Sequence, residues 1–242
     1  MKKKKKPADR TAPPLLVLDF DGTLAPIRLE PQKVRMPAYM IKTLSAAWRA
    51  GLGIIILSGR PVSFLRRIGL DRRIRLIGNF GNNKAGRGEG GWKSPLLMKK
   101  TLSALRRMPG VRVERKLGWC VHYRQAAKKN RMAIMREIGA LKAAAGPKAV
   151  IAVGRMAVEL MPPGSRTKAD VLRELLRQDS GRRLVFIGDD QGDLEAMRKL
   201  RNHPRFSALA VESGEIAAGG WPPVIKNRPA LAALLRRMSR AS

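Results

Sequence analysis

Four short apolar runs constrain this chain more than any other feature: residues 15–18 (LLVL), 54–57 (IIIL), 74–77 (IRLI) and 184–187 (LVFI). Each stops at an acidic or small residue, respectively Asp19, Ser58-Gly59, Gly78 and Gly188. The runs are apolar on nearly every position and lack the alternation of a strand with one wet face. They therefore fit parallel strands covered on both sides. Helical stretches separate them. Within residues 37–50, Met40, Ile41, Leu44, Ala47 and Trp48 fall on one stripe, and Gly51 offers a stop. Strands alternating with helices predict an α/β fold built on a Rossmann-like, doubly wound parallel sheet. Ligands of such sheets bind beyond the carboxyl ends of the strands, and those ends here carry carboxylates and small residues.

The pattern changes between the third and fourth runs. Val111 and Val113, then Val121 and Tyr123, alternate with charged or polar residues, and Leu117-Gly118 can turn between them. A second alternating pair, residues 150–153 and 157–160, is joined by Gly154-Arg155, a good hairpin turn. Helical segments over about residues 96–108 and 126–145 precede the two pairs, and Met132, Met135 and Ile138 read as a packing stripe of the second helix. The order α-β-β-α-β-β predicts a small α+β cap domain inserted in the parallel fold. Its borders are the glycine-rich residues 81–91 and Pro162-Pro163-Gly164. The expected organisation is a disordered basic tail (1–12), a core (13–84 and 163–242) and an inserted cap (85–162).

Composition narrows the function classes. Fifty Lys and Arg against eighteen Asp and Glu give a net charge of +32, which points to anionic partners or substrates, with non-specific polyanion binding, or to a solvent-adapted surface. A single Cys120 excludes a disulfide framework and a multi-cysteine zinc site, and two histidines, His122 and His203, argue against a His-rich metal site. The longest strongly apolar stretch, residues 52–57, is too short to cross a membrane, so no membrane partner is expected. The lysines at 2–6 resemble the start of a signal peptide, but Pro7-Ala8-Asp9-Arg10 stands where an apolar segment should follow. The expected location is cytoplasmic. The oligomeric state is not legible.

The scarce carboxylates are placed informatively. Asp19 and Asp21 follow the first run, and Asp189, Asp190 and Asp193 follow the fourth. An Asp-x-Asp in extended backbone points both side chains the same way. Such a cluster repels itself unless a cation neutralises it, and ligands that are all oxygen favour Mg²⁺. The plainer reading is that these residues serve as turn and N-cap residues, and two clusters in one Rossmann-like pattern weigh against it.

Asp19-Phe20-Asp21-Gly22-Thr23-Leu24, Ser58-Gly59-Arg60, Lys168 at a helix start, and Gly188-Asp189-Asp190-x-x-Asp193 resemble, in order and spacing, the four motifs of the phosphatase branch of the haloacid dehalogenase superfamily. The resemblance runs from Leu15 nearly to the end, and a cap inserted between the second and third motifs is also a superfamily feature. It implies that Asp19 is a nucleophile forming an aspartyl-phosphate, and that Asp21 protonates the leaving group and then activates water. It further implies that Asp19, the Asp21 carbonyl and Asp189 hold Mg²⁺, with Asp190 and Asp193 orienting waters and ligands around it. Ser58, Gly59, Thr23 and Lys168 would bind the phosphoryl group. The plainer readings are a Ser turn or helix cap for Ser58, a solvated cation for Lys168, a small buried strand residue for Cys120 and a loop anchor for Trp221.

Val113-Glu114-Arg115-Lys116, His122-Tyr123-Arg124 and Val158-Glu159-Leu160-Met161-Pro162 are similar to the cap motifs of the trehalose-6-phosphate phosphatase family, as is the first motif extended to Pro26-Ile27. That similarity implies a sugar-phosphate substrate contacted by Arg60, Glu114, Lys116, Arg124 and Glu159, with cross-strand ion pairing as the plainer role for these side chains. The chain departs from the family pattern at Asn79-Phe80-Gly81-Asn82-Asn83, Ala169, Gly192 and Leu194, which leaves a different sugar phosphate open, of the sucrose or glucosylglycerate type. A rival from another class is a basic nucleic-acid-associated protein on the same fold. Its support is the charge, and aromatics at 5% with no helix-turn-helix signature count against it.

Overall fold

Strands that are apolar on both faces need cover on both, and the chain supplies it by placing helices on the two sides of one sheet. The computed structural model describes residues 12–82, 95–154, 156–179, 181–213, 216 and 220–240. In chain order these form β1 (Leu15–Leu18), α1 (Ala38–Arg49), β2 (Gly53–Leu57), α2 (Val62–Arg66) and β3 (Arg75–Ile77). Next come α3 (Leu96–Arg107), β4 (Arg112–Arg115), β5 (Trp119–His122), α4 (Arg131–Ala145), β6 (Val150–Gly154) and β7 (Ala157–Met161). The chain continues with α5 (Lys168–Gln178), β8 (Leu184–Gly188), α6 (Gln191–Leu200), β9 (Phe206–Val211), β10 (Val224–Ile225) and α7 (Arg228–Arg240). It divides into two compact units, one running to Gly81 and resuming at Lys168, the other Asn82–Thr167.

The first unit contains a parallel sheet in the order β10-β9-β8-β1-β2-β3. Alternate residues of β1 face opposite sides. Leu16 and Leu18 join Met40 and Leu44 of α1 and Leu231 and Leu235 of α7. Leu15 and Val17 join Val171, Leu172, Leu175 and Leu176 of α5 and Met197 of α6. The sheet is therefore doubly wound, as expected. β1 lies between β2 and β8 with Leu18 level with both Ile56 and Ile187, so three strand ends finish side by side.

The second unit has the predicted α-β-β-α-β-β order and an antiparallel sheet, β4-β5-β7-β6. One face packs on α3 and α4 through Val121, Val158, Leu160, Met98, Leu102, Ile134, Ile138 and Leu141. Across the other strand positions, Glu114 pairs with Cys120 and Cys120 with Glu159. Where the chain enters and leaves this unit, the Asn82 side chain brackets the Arg166 backbone, accepting from its N–H at 2.8 Å and donating to its carbonyl at 3.0 Å.

Two expectations are corrected. The helix expected over 126–145 begins at Arg131, because residues 128–130 form a separate 3₁₀ turn. Met132 and Met135 are exposed, at 74% and 46%, and are not packing residues. The buried stripe of α4 is Ile134, Ile138 and Leu141, and Met132 lies two positions from Ile134, on nearly the opposite side of the helix. The expected tail, most of the glycine-rich border and Arg155 of the hairpin turn lie outside the described residues. No helix among the described residues is long and apolar enough to cross a membrane.

Candidate active site

The pairing of β1 with β8 carries Asp19 beside Asp189, since the Asp19 N–H donates to the Ile187 carbonyl at 2.8 Å. Lys168, the first residue of α5, completes the centre. Its ammonium donates to Asp19 Oδ1 at 2.7 Å and to Asp193 Oδ1 at 2.5 Å. The second oxygen of Asp193 accepts from the backbone N–H groups of Asp189 and Asp190, at 3.1 and 3.3 Å. Asp19, Lys168, Asp189 and Asp193 are all buried. Asp190 is the N-cap of α6: its carboxylate accepts from the Asp193 N–H at 2.8 Å, closing a capping box. For Asp190 the plainer N-cap reading holds.

Carboxylates outnumber cations in this centre, and their proton affinities show it. Burial above all, then the charges of Asp19, Asp193 and Asp190, pushes Asp189 up to about 9. Burial likewise raises Asp190 to about 7 and Asp19 to about 6, the latter despite the nearby Lys168. Burial alone would lower the Lys168 pKa, but Asp19 and Asp193 overcome it and hold the ammonium charged.

One further cation fits. Oxygens of Asp19, Asp189 and Asp193 come within 4.8 Å of one another. Asp189 Oδ1 accepts from the Thr23 hydroxyl at 3.0 Å, whereas its Oδ2 is buried without a hydrogen-bond partner. An orphaned carboxylate oxygen amid an all-oxygen set is what a hard divalent cation would satisfy. The loop after Asp19 packs closely against Asp189. Gly22 has φ +93, and a Cβ there would lie 2.0 Å from Asp189 Oδ2.

The second motif divides. Ser58 is buried at the end of β2, and its hydroxyl accepts from the Arg60 N–H at 3.1 Å, forming the Ser turn. The Phe80 ring occupies the place of a Gly59 side chain, where a Cβ would meet it at 2.6 Å. That ring lies 5.9 Å from the Lys168 ammonium, so the departure at Asn79-Phe80 borders the centre. Arg60 turns to Asp21, donating from Nε and Nη2 to its two carboxylate oxygens, each at 2.6 Å.

Two residues that the sequence reading passed over also support the centre. The Ser213 hydroxyl donates to the Asp189 carbonyl at 2.7 Å, and Arg228 donates to the Gly22 carbonyl at 2.7 Å. Ser213 follows the carboxyl end of β9, so the strand-end rule could have found it. Arg228 carried no signal among fifty basic residues.

In the second unit, the expected sugar contacts share one region of the sheet. Lys116 pairs with Glu159 at 3.4 Å, and Glu114 with Arg112 at 2.7 Å and His122 at 3.3 Å. Burial pushes Glu159 upward, and Lys116 offsets this in part. Arg124, two residues past His122 and half-buried, helps to lower the pKa of that imidazole, after burial and Lys116. Cys120 is buried between these groups, and burial pushes its thiol up to about 12, so it stays protonated.

A family model described as trehalose-phosphatase matches residues 17–222. The chain is 30% identical over 210 residues to the trehalose-phosphate phosphatase of Mycobacterium avium (strain 104), a match covering 79% of this chain and 52% of that protein. It thus spans about half the length of that mycobacterial relative. It is 27% identical over 212 residues to the trehalose-6-phosphate phosphatase of Escherichia coli (strain K12), covering 81% of this chain and 76% of the relative. In fold it is similar to the C-terminal domain of the trehalose-6-phosphate phosphatase of C. albicans, with a TM-score of 0.73, 18% identity and coverage of 97% and 98% of the two chains.

Proposed function

The chain belongs to the trehalose-phosphatase family, and from that premise we propose that it is a Mg²⁺-dependent phosphatase hydrolysing trehalose 6-phosphate to trehalose and phosphate through an aspartyl-phosphate on Asp19. The observation that carries this reading is a buried Asp19 held at 2.7 Å by Lys168 beside the unsatisfied oxygen of Asp189. An Asp19 oxygen attacks phosphorus, and the bond to the sugar oxygen breaks. Lys168 offsets the charge that nucleophile and phosphoryl group bring together. The departing oxygen takes a proton from Asp21, which then removes one from the water that hydrolyses the acyl-phosphate. Ser58, Gly59 and Thr23 complete the phosphoryl cradle.

Asp19, Asp189 and the Asp21 carbonyl would hold Mg²⁺, with Asp190 and Asp193 orienting its surroundings. When bound, the ion would supply positive charge that neutralises the phosphoryl oxygens. In the second unit, Glu114, Lys116, Arg124 and Glu159 would read the sugar hydroxyls, since paired carboxylates and cations offer both acceptors and donors. The departures at Phe80, Ala169, Gly192 and Leu194 support a second reading, in which the substrate is another sugar phosphate. In either case the +32 charge would add polyanion affinity that falls steeply with salt.

Phosphate release from a panel of sugar phosphates, in Mg²⁺ and in EDTA, tests the assignment. Trehalose 6-phosphate should be the best substrate, and EDTA should abolish turnover. Glu114→Ala should lower kcat/KM for it by ~10²-fold while leaving aryl phosphate hydrolysis nearly unchanged, because only the disaccharide uses that group. Lys168→Ala should impair both substrates. Equal losses from Glu114→Ala would make that residue a structural support of the sheet.

A further inference from the structure

Asp21 is the most exposed of the groups assigned to the reaction, its side chain 36% accessible, and it lies on the loop that turns at Gly22. A carboxyl on such a loop can sample several rotamers, yet a general acid works only from hydrogen-bond reach of the atom it protonates. The structure removes that freedom. The Nε and Nη2 donors of Arg60 meet the two Asp21 oxygens at 2.6 Å each, a two-point contact that fixes the plane of the carboxyl as well as its position. Arg60 is itself held. Nη1 donates to the Pro31 carbonyl at 2.8 Å, and the guanidinium lies 4.1 Å from the centroid of the Phe64 ring and 5.7 Å from that of Phe20. Its backbone N–H donates to the Ser58 hydroxyl, and its carbonyl accepts from the Asn79 N–H at 2.9 Å.

We infer that Arg60 is a positioning residue: it holds the Asp21 carboxyl where it can pass its proton to the departing oxygen. Its partner in the structure is the Asp21 carboxylate. The inference rests on the proposed reading of Asp21 as the acid. Each Asp21 oxygen accepts one N–H from Arg60 and keeps a second lone pair, and the transferred proton uses one of these. As the bond from phosphorus to oxygen breaks, its electron pair stays on the departing oxygen. That oxygen takes the proton, and Asp21 is left as a carboxylate paired with Arg60. Lysine cannot reproduce the arrangement, because an ammonium is a point donor without the planar fork.

Three esters, assayed in Mg²⁺, separate the roles Arg60 could have. Trehalose 6-phosphate and glycerol 2-phosphate leave as alkoxides and need a proton, whereas 2,4-dinitrophenyl phosphate leaves as a stable anion and needs none. Arg60→Ala should lower kcat/KM ~10²-fold on both alkyl esters, mainly through kcat, and less than about 5-fold on the dinitrophenyl ester. Asp21→Asn should give the same pattern, and the double variant should be no worse than Asp21→Asn alone. Arg60→Lys, with melting curves to establish folding, should lose about 10-fold on the alkyl esters only, and it carries the test if the alanine variant does not fold. The comparison is made in kcat/KM, which excludes the acyl-phosphate hydrolysis that Asp21 serves for every ester. Equal losses of kcat/KM on all three esters, or a loss on trehalose 6-phosphate alone seen as a raised KM, would overturn the inference while the phosphatase reading stands. A wild type that hydrolyses glycerol 2-phosphate but not trehalose 6-phosphate sinks the substrate assignment and leaves the Arg60 comparison intact. A wild type inert towards all three esters overturns both.

Discussion

At the scale of single residues, the centre depends on one ammonium shared between two buried carboxylates. Lys168 touches Asp19 and Asp193, and Asp193 in turn gathers the N–H groups of Asp189 and Asp190. Asp19 is thus paired with an ammonium at the head of α5, which Asp193 of α6 also holds. Asp19→Asn keeps the shape and removes the charge that the proposed attack on phosphorus needs. Turnover should fall by roughly 10³-fold or more with the fold intact, as measured by steady-state phosphate release alongside circular dichroism. The same variant should give no acid-stable labelled phospho-protein in a quenched reaction. Near-wild-type turnover would remove Asp19 from the mechanism.

Among the elements, α4 shows how a helix can carry apolar residues on its wet side. Its inward stripe is Ile134, Ile138 and Leu141, and its outward side includes Met132 and Met135. Ile134 is fully buried among Met98, Leu102 and Val121, so Ile134→Ala should leave a cavity and cost about 2–5 kcal/mol. Met132→Gln removes no packing and should change stability by less than about 0.5 kcal/mol. Urea denaturation of the two variants checks both numbers, and comparable losses would mean that the outward side of α4 is covered by something. α6 is governed at its start in a similar way, because the Asp190–Asp193 capping box fixes where the helix begins and holds Asp193 facing Lys168.

For the molecule as a whole, the chain is strongly basic, yet its buried centre has too few cations. Asp19, Asp190 and Asp189, raised to about 6, 7 and 9, bind protons in the folded state that they release near the ordinary carboxylate range when unfolded. The folded protein therefore holds more protons between about pH 4 and pH 9, and the stability they contribute is present below that window and lost as pH rises through it. Lys168 stays charged across the window and does not alter the slope. In EDTA, Tm should fall between about pH 5.5 and pH 8.5, and Asp189→Asn should flatten the decline. Added Mg²⁺ should raise Tm most at the high end, where the carboxylates are ready to bind it. The melts belong at about 0.3 M salt, where the Debye length is near 6 Å and repulsion among surface cations is screened. A flat profile in EDTA would contradict the buried, cation-poor cluster.

The sequence by itself determined the doubly wound core, the α-β-β-α-β-β insertion and the placing of five aspartates at strand ends, because hydrophobic period and strand-end position are local properties. β9 and β10 escaped it. Ser207 and the alanines at 208 and 210 dilute the apolar run of β9, and β10 is only two residues long after Pro222-Pro223. For Asp190 the sequence left both a cluster carboxylate and an N-cap open, and the fold shows it as the cap of α6. The pairings of Ser213 and Arg228 were out of reach for a related reason: their partners, Asp189 and Gly22, lie 24 and 206 residues away. Arg60 is the clearest case. Its place after Ser58-Gly59 marked it as a site residue, but 39 positions separate it from Asp21, and the pairing of β1 with β2 brings the two strand ends together. Sequence periodicity records which face of an element is buried. Which charged groups meet is decided by strand order and register, which exist only once the sheet has formed.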